Sequence, residues 1–503
     1  MTAGKASEGT VGALLRGAAN RPALAVPEGP TITHQGLRDL VDEASETLSA
    51  LGVRRGDRVA MVYPNGPEAI VMFLAAAEVG TACPLNPAYT EDEFRFYLED
   101  TGARFLLLPP GEGDAARRAM PAGARIVEAE IDGGGRLRTQ AAGGGARDGE
   151  HADPEDVALV LHTSGTTSRP KRVPLRHRNL VASVRNITTH YGLGEEDVSL
   201  CVMPLFHVHG LLASTLSTLA TGGTVVAPRR FNPLGFWPVA REHEPTWFSA
   251  SPTPHQLIAM RAQGERPAGT RRLRFVRSCS SSLPPAQMAA MESLFGVAVL
   301  EAYGMTEASH QMASNPLPPL ERRPGSVGRG TGVEIGIMDA DGGLRAAGEA
   351  GEVVIRGPNV IDGYEANPEA NAASFTGGWF RTGDQGVLDG AGYLTLAGRI
   401  KELINRGGEK IAPREVDEVL ESHPAVAEAV AFGVAHATWG EEVAAAVVLS
   451  AAATEKEILA HCREHLAAFK VPKRLYIVEA IPRTPTGKVQ RRFVAAAVAP
   501  PSS

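Results

Sequence analysis

The run Val157-Ala158-Leu159-Val160-Leu161-His162-Thr163-Ser164-Gly165-Thr166-Thr167-Ser168-Arg169-Pro170-Lys171 decides how this chain reads. Its apolar first half predicts a buried strand, and its hydroxyl- and glycine-rich second half predicts a flexible loop. Several hydroxyls and a glycine amide can surround anionic oxygens, and Lys171 adds a full positive charge. The spacing is not that of a Walker loop, G-x-x-x-x-G-K-S/T, and Pro170 fits poorly in the helix that follows one. The stretch is a phosphate loop of another kind.

Upstream of it, Leu37, Val41, Ala44, Leu48 and Leu51 recur at helical spacing. Arg58 to Tyr63 reads as a strand ending at Pro64-Asn65-Gly66, and Ala69 to Val79 reads as a further helix. Such alternation predicts an α/β sheet. Between about 110 and 155 the composition shifts to Gly, Ala, Arg and acidic residues, which predicts a mobile surface segment without regular structure. Downstream, the boundary of the large domain is expected at Gly398-Arg399-Ile400-Lys401-Glu402. Beyond it, helix-like Pro413 to Leu420 and Glu455 to Leu466 flank strand-like Val426 to Gly433 and Val443 to Leu449, a small α+β domain. The expected organisation is therefore a layered α/β domain over residues 1–397 and a small α+β domain over 402–503, joined at 398–401.

Bulk properties narrow the class. At 503 residues the chain is too long for one ordinary core, and 43% hydrophobic with 21% charged residues describes a globular protein. A net charge of −7 argues against nucleic-acid binding. Cys83, Cys201, Cys279 and Cys462 lie far apart, which predicts buried free thiols rather than a disulfide frame or a zinc site. No segment approaches the unbroken apolar length of a membrane span, the N-terminus lacks a signal-peptide core and the C-terminus ends Pro-Pro-Ser-Ser, so a cytoplasmic location is expected.

Four more clusters carry chemistry. Glu301-Ala302-Tyr303-Gly304-Met305-Thr306-Glu307 follows an apolar run and could present an aromatic ring, a hydroxyl and a carboxylate to a purine, a phosphate and Mg²⁺; the plainer alternative is a strand–turn–helix capped by Thr306. Thr382-Gly383-Asp384 could accept from ribose hydroxyls. Gly398-Arg399-Ile400-Lys401 precedes Arg406-Gly407-Gly408, and Pro485-Thr486-Gly487-Lys488 lies near the end. Gly328-Arg329-Gly330-Thr331-Gly332 lacks the third glycine of a dinucleotide fingerprint and reads as a loop.

Together and in this order, these clusters resemble those of the adenylate-forming superfamily of acyl-CoA synthetases, adenylation domains and luciferases. The likeness runs from about residue 10 to about 493. Ser168 and Arg172 depart from the glycines most relatives carry, leaving Lys171 and the hydroxyls in place. The resemblance implies ATP, Mg²⁺ and coenzyme A as reactants and cofactor. It assigns Thr163, Ser164, Gly165, Thr166, Thr167 and Lys171 to the β- and γ-phosphates, Thr306 to the α-phosphate and Glu307 to Mg²⁺. Tyr303 packs on adenine, Asp384 and Arg399 fix the ribose, and Gly408 lines the thiol path. Lys488 bridges the substrate carboxylate and the α-phosphate, then leaves the site as the mobile small domain turns about the 398–401 hinge at Lys401.

The acid is sought among Phe206-His207-Val208-His209-Gly210, Ser278-Cys279-Ser280-Ser281-Ser282-Leu283 and Ala308-Ser309-His310-Gln311-Met312-Ala313-Ser314-Asn315. These runs are too polar for a fatty acyl chain, since each unpaired buried polar group costs roughly 1–3 kcal/mol. They resemble the oxalate–CoA ligase subgroup, which shares Ser168. His207, Ser280 and His310 are therefore expected to hold a dicarboxylate, with oxalate favoured. Alternatives are a gating role for His207 and a helix N-terminal, backbone-satisfied role for His310. Malonate is the competing acid, although Ala302 stands where malonate-activating relatives carry Arg. A stand-alone enzyme loading a carrier protein, and a non-catalytic ATP-binding regulator, are the other readings.

Overall fold

The computed structural model describes residues 8–139, 151–163, 170–262, 271–483 and 489–499. The expected phosphate-loop residues Ser164, Gly165, Thr166 and Thr167, and the expected catalytic Lys488, lie outside the described residues. The chain divides into two compact units, Met1–Ile335 with Ile355–Phe380, and Gly336–Val354 with Arg381–Ser503.

The first unit holds two large sheets. In a nine-stranded sheet, the strands Val198–Cys201, Trp247–Ala250, Phe275–Ser278 and Ala298–Met305 run parallel and side by side. Trp247–Ala250 and Phe275–Ser278 are buried at every position, as expected of parallel strands covered on both faces. A seven-stranded sheet contains the parallel strands Arg58–Met61, Thr81–Pro84 and Phe105–Leu108, with Val157–Thr163 beside Thr81–Pro84. Helix His34–Ala50 starts where the Thr33 hydroxyl accepts from the Gly36 amide, and turns Leu37, Leu40, Val41, Ala44 and Leu48 inward. Helix Pro67–Val79 is buried along its whole length.

The stretch from 110 to 155 is more structured than its composition implies. It contains helix Asp114–Ala119 and strands Arg125–Ile131 and Leu137–Thr139. Arg125–Ile131 adds to the Phe105–Leu108 edge in parallel and buries Val127, Ala129 and Ile131. Alternate apolar positions, not overall polarity, decided its fate.

The second unit is α+β in its C-terminal part. Strands Val426–His436 and Gly440–Leu449 pair antiparallel, with Arg474–Ile477 parallel to the latter. Helices Pro413–Glu421 and Glu455–His465 bury Val416, Leu420, Ile458 and Cys462 in the same core as Ala431, Val443 and Ala445. Thr454 and Glu457 close the N-terminus of the second helix with a reciprocal capping box. All four cysteines are free and buried. Among the described residues no helix is long and apolar enough to cross a membrane.

Candidate active site

The two ends of the decisive run lie in paired strands. Strand Val157–Thr163 pairs antiparallel with Lys171–Arg176, so Thr163 sits opposite Lys171. A strand, rather than the helix of a Walker loop, follows residues 164–169. Lys171 Nζ lies 4.3 Å over the ring of Tyr364. The Tyr364 hydroxyl donates to Glu307 Oε1 at 2.9 Å, so one side chain touches both the loop lysine and the expected metal carboxylate. Arg172, the residue in place of glycine, packs its guanidinium 3.4 Å from Asp100 Oδ2 and 3.5 Å from Glu365 Oε2. Asp100 also meets His162 Nε2 at 3.1 Å, so Arg172 belongs to a network beneath the paired strands.

Strand Ala298–Met305 ends in a single 3₁₀ turn, Thr306–Ala308, and the chain returns as strand His310–Ser314. The strand–turn–helix alternative is therefore wrong, and His310 is a strand residue rather than the first residue of a helix. The return is too tight for any side chain at Gly304, where a Cβ would lie 2.0 Å from the His310 carbonyl oxygen. Tyr303, Thr306 and Glu307 are all buried. Glu307 is also fixed through its backbone, its carbonyl accepting from the Ile361 amide at 2.9 Å.

The expected acid-binding residues converge on a buried polar cluster at the carboxyl ends of the parallel strands, where α/β sheets place ligands. Arg277, fully buried in strand Phe275–Ser278, is its centre. Its Nε donates to the Tyr191 hydroxyl at 2.9 Å, Nη1 to Ser249 Oγ at 2.8 Å, and Nη2 to Gln311 Oε1 at 3.0 Å and His310 Nε2 at 2.9 Å. His209 lies within reach of the same guanidinium, 3.4 Å from Nη1, and stacks on His310 with ring centroids 5.0 Å apart. Burial, with His310 and Arg277 beside it, holds His209 well below the ordinary imidazole range, so it is neutral. Its Nδ1 reaches Ser280 Oγ at 3.0 Å. His209 also opens a π-helical turn, His209–Leu216.

Two of these residues hold backbone conformations that side chains rarely adopt: Ser280 at φ +76° and His310 at φ +102°. Each costs on the order of 1–3 kcal/mol unless its surroundings impose it. Glu301 Oε1 accepts from the Leu283 amide at 3.1 Å, pinning the loop that carries Ser280. Ser309, next to His310, is held by Ser183 Oγ at 2.5 Å and donates to the Asn359 carbonyl at 2.9 Å. His207 is half-buried, and its Nδ1 accepts from the His209 amide at 3.2 Å.

In the second unit Asp384 and Arg399 face each other across two antiparallel strands, with Arg399 Nε 2.8 Å from Asp384 Oδ1. Gly408 occupies the turn between Ile404–Arg406 and Glu409–Ile411 at φ +98°. Lys401 is exposed in the 3₁₀ turn Ile400–Glu402.

Three contributors escape a reading of motifs: Tyr364, His209 and Arg277. The signal for Arg277 was a charged residue inside the apolar strand Phe275-Val276-Arg277-Ser278, and His209 lay in a run already singled out. Tyr364 had no local signal. Glu307 and Thr306 present hard oxygen donors that suit Mg²⁺. Among the described residues no group of three His, Cys, Asp or Glu side chains could hold a metal ion.

Residues 14–365 match the AMP-binding enzyme family, and residues 415–488 match the AMP-binding enzyme C-terminal domain. An oxalate–CoA ligase of Arabidopsis thaliana is 48% identical over 490 residues, covering 95% of this chain and 95% of the relative. An oxalate–CoA ligase of Saccharomyces cerevisiae is 43% identical over 515 residues, covering 94% of each. The crystal structure of ATP-bound MatB from Rhodopseudomonas palustris superposes with a TM-score of 0.87 at 30% identity, covering 97% of this chain and 98% of that one. With its large α/β unit, its smaller C-terminal part and family matches over both, the chain belongs to the AMP-binding enzyme family.

Proposed function

We propose that this chain is an ATP-dependent acid–CoA ligase that converts oxalate to oxalyl-CoA in two steps. A carboxylate oxygen attacks the α-phosphorus of ATP and pyrophosphate leaves. The CoA thiol then attacks the acyl carbonyl, and AMP leaves. The observation that carries the choice of acid is the Arg277–His209–Ser280–His310 cluster, a buried polar and cationic wall where a fatty-acyl enzyme would need apolar lining. The 48% and 43% identical relatives named oxalate–CoA ligases support the same reading.

In this scheme Thr163, Ser164, Gly165, Thr166, Thr167 and Lys171 enclose the β- and γ-phosphates, and Thr306 contacts the α-phosphate. Phosphoryl-group transfer of this kind is governed by positioning and charge neutralisation rather than by covalent help. Mg²⁺ held at Glu307 supplies part of that neutralisation when bound, and the Tyr364 hydroxyl orients the Glu307 carboxylate. Tyr303 packs on adenine, and Asp384, aligned by Arg399, accepts from the ribose hydroxyls. His207, Ser280 and His310 hold the dicarboxylate. Lys488 donates to the charge developing between the acid and the α-phosphate, Lys401 is the pivot, and Gly408 lines the thiol path. Ala302 is buried and apolar, which favours oxalate over malonate by the resemblance described above. The free buried thiols and the need for ATP and CoA support a cytoplasmic location. Incubation with ATP, Mg²⁺, CoA and oxalate tests this directly: a new thioester with the mass of oxalyl-CoA is expected, and AMP formation without any thioester would exclude free CoA as the acceptor.

A further inference from the structure

Arg277 has an unusual set of partners for a fully buried cation. No carboxylate is among its partners: its guanidinium meets the Tyr191 hydroxyl, Gln311 Oε1, Ser249 Oγ, two imidazole nitrogens and the Cys279 side chain. A buried charge is ordinarily met by an opposite charge. Here the fold neutralises none of it through a direct ion pair among the described residues.

The donors also have a fixed direction. A guanidinium donates and never accepts. Ser249 Oγ, taking a hydrogen from Nη1 at 2.8 Å, passes its own to His209 Nε2 at 2.6 Å. Nε2 of His209 also lies 3.4 Å from the guanidinium, so it is the acceptor nitrogen and the ring hydrogen sits on Nδ1. Nδ1–H donates to Ser280 Oγ at 3.0 Å, which leaves the Ser280 hydroxyl hydrogen to be given onward. On the second branch His310 Nε2 accepts from Nη2 at 2.9 Å, which puts the ring hydrogen of His310 on Nδ1. The first branch ends at the Ser280 hydroxyl, and Ser280 is partly exposed.

We propose that Arg277 is the positioning residue that makes this pocket select a dianionic acid, by setting the tautomers of His209 and His310 and by leaving its own charge for the ligand to neutralise. This rests on the proposed ligase reading and deepens it. A monocarboxylate leaves the charge unmet at its far end, whereas a short dicarboxylate satisfies the wall with its distal carboxylate. Electrostatic complementarity of this kind acts through selectivity more than through total affinity.

The test variant is Gln311→Glu in the full-length chain. It sets a carboxylate where Gln311 Oε1 now lies 3.0 Å from Nη2, keeps the side-chain shape, and neutralises the guanidinium internally. Oxalate and its monoamide, oxamate, are compared through KM for oxalate and the inhibition constant of oxamate, with pyrophosphate release as the assay. The variant is expected to weaken oxalate about tenfold more than oxamate, with KM for ATP and thermal stability retained. A differential of about threefold or more supports the assignment, and a smaller one overturns it. Arg277→Lys, which keeps the charge but loses the fork, is expected to retain selectivity for the dianion while losing kcat. If the wild-type enzyme prefers malonate to oxalate, the ligase reading falls on the acid alone, and the same comparison is made with malonate and malonamate. If the wild type activates no dicarboxylate, both readings fall.

Discussion

The Tyr364 hydroxyl donates to Glu307 Oε1 at 2.9 Å from a residue 57 positions away in sequence. The same ring carries Lys171 Nζ at 4.3 Å on its face, so the proposed metal carboxylate and the loop lysine share one support. Tyr364→Phe keeps the ring and removes the donor. A hydrogen bond to a charged group contributes about 1.5–3 kcal/mol, so kcat/KM for ATP is expected to fall at least about tenfold. Pyrophosphate release across an ATP titration measures this, and an unchanged value would remove Tyr364 from the site.

Lys488→Ala separates the two half-reactions. Loss of one preorganised donor at developing charge costs about 3 kcal/mol, so adenylate formation is expected to drop about a hundredfold or more. Thiolysis of supplied oxalyl-adenylate by CoA should remain. Equal loss in both half-reactions would contradict the assignment of Lys488 to the first step alone.

Burial sets a pH dependence of stability. His255 is fully buried, with its imidazole pushed down to about 4, and His209 lies in the same direction. Unfolded, such a histidine titrates near about 6.5, so below that pH the unfolded state binds the extra proton. Stability from these groups is therefore present above about pH 6.5 and is lost as pH falls toward about 4. His255→Gln cannot take up that proton. Its unfolding free energy should fall between pH 7 and pH 5 by about 2 kcal/mol less than that of the wild type. Urea unfolding at the two pH values checks the difference, and identical slopes would show that His255 is protonated in the folded chain.

Gly408 offers a narrower probe. Its φ of +98° strains any side chain by about 1–3 kcal/mol, although a Cβ there would meet nothing within 4 Å, so Gly408→Ala is assayed where thermal unfolding shows it folded. If Gly408 lines the thiol path, thioester formation slows several-fold while pyrophosphate release from oxalate and ATP is unchanged. Slowing of both would count against that placement.

Much of this was legible in the sequence because the chemistry is written in short motifs whose order survives folding. Helix Pro413–Glu421, helix Glu455–His465 and the strands between them followed from periodicity, since each presents one apolar face. Arg125–Ile131 was hidden because glycine and charge around it masked the alternation Val127, Ala129, Ile131. The alternative that put His310 at a helix N-terminus fails, because a 3₁₀ turn and a tight return at Gly304 stand where Thr306 could have capped a helix. The Arg277 network could not be read at all as a unit. Tyr191, His209, Ser249, Gln311 and Arg277 come from five separate elements, and only the sheet brings them together.

Pyrophosphate release with oxalate, malonate, succinate, acetate and an aromatic acid, each with and without CoA, tests the central claim most directly. The account predicts that oxalate is activated with a kcat/KM at least about tenfold above every other acid, and that CoA converts the adenylate to a thioester. Oxalate no better than acetate would contradict it.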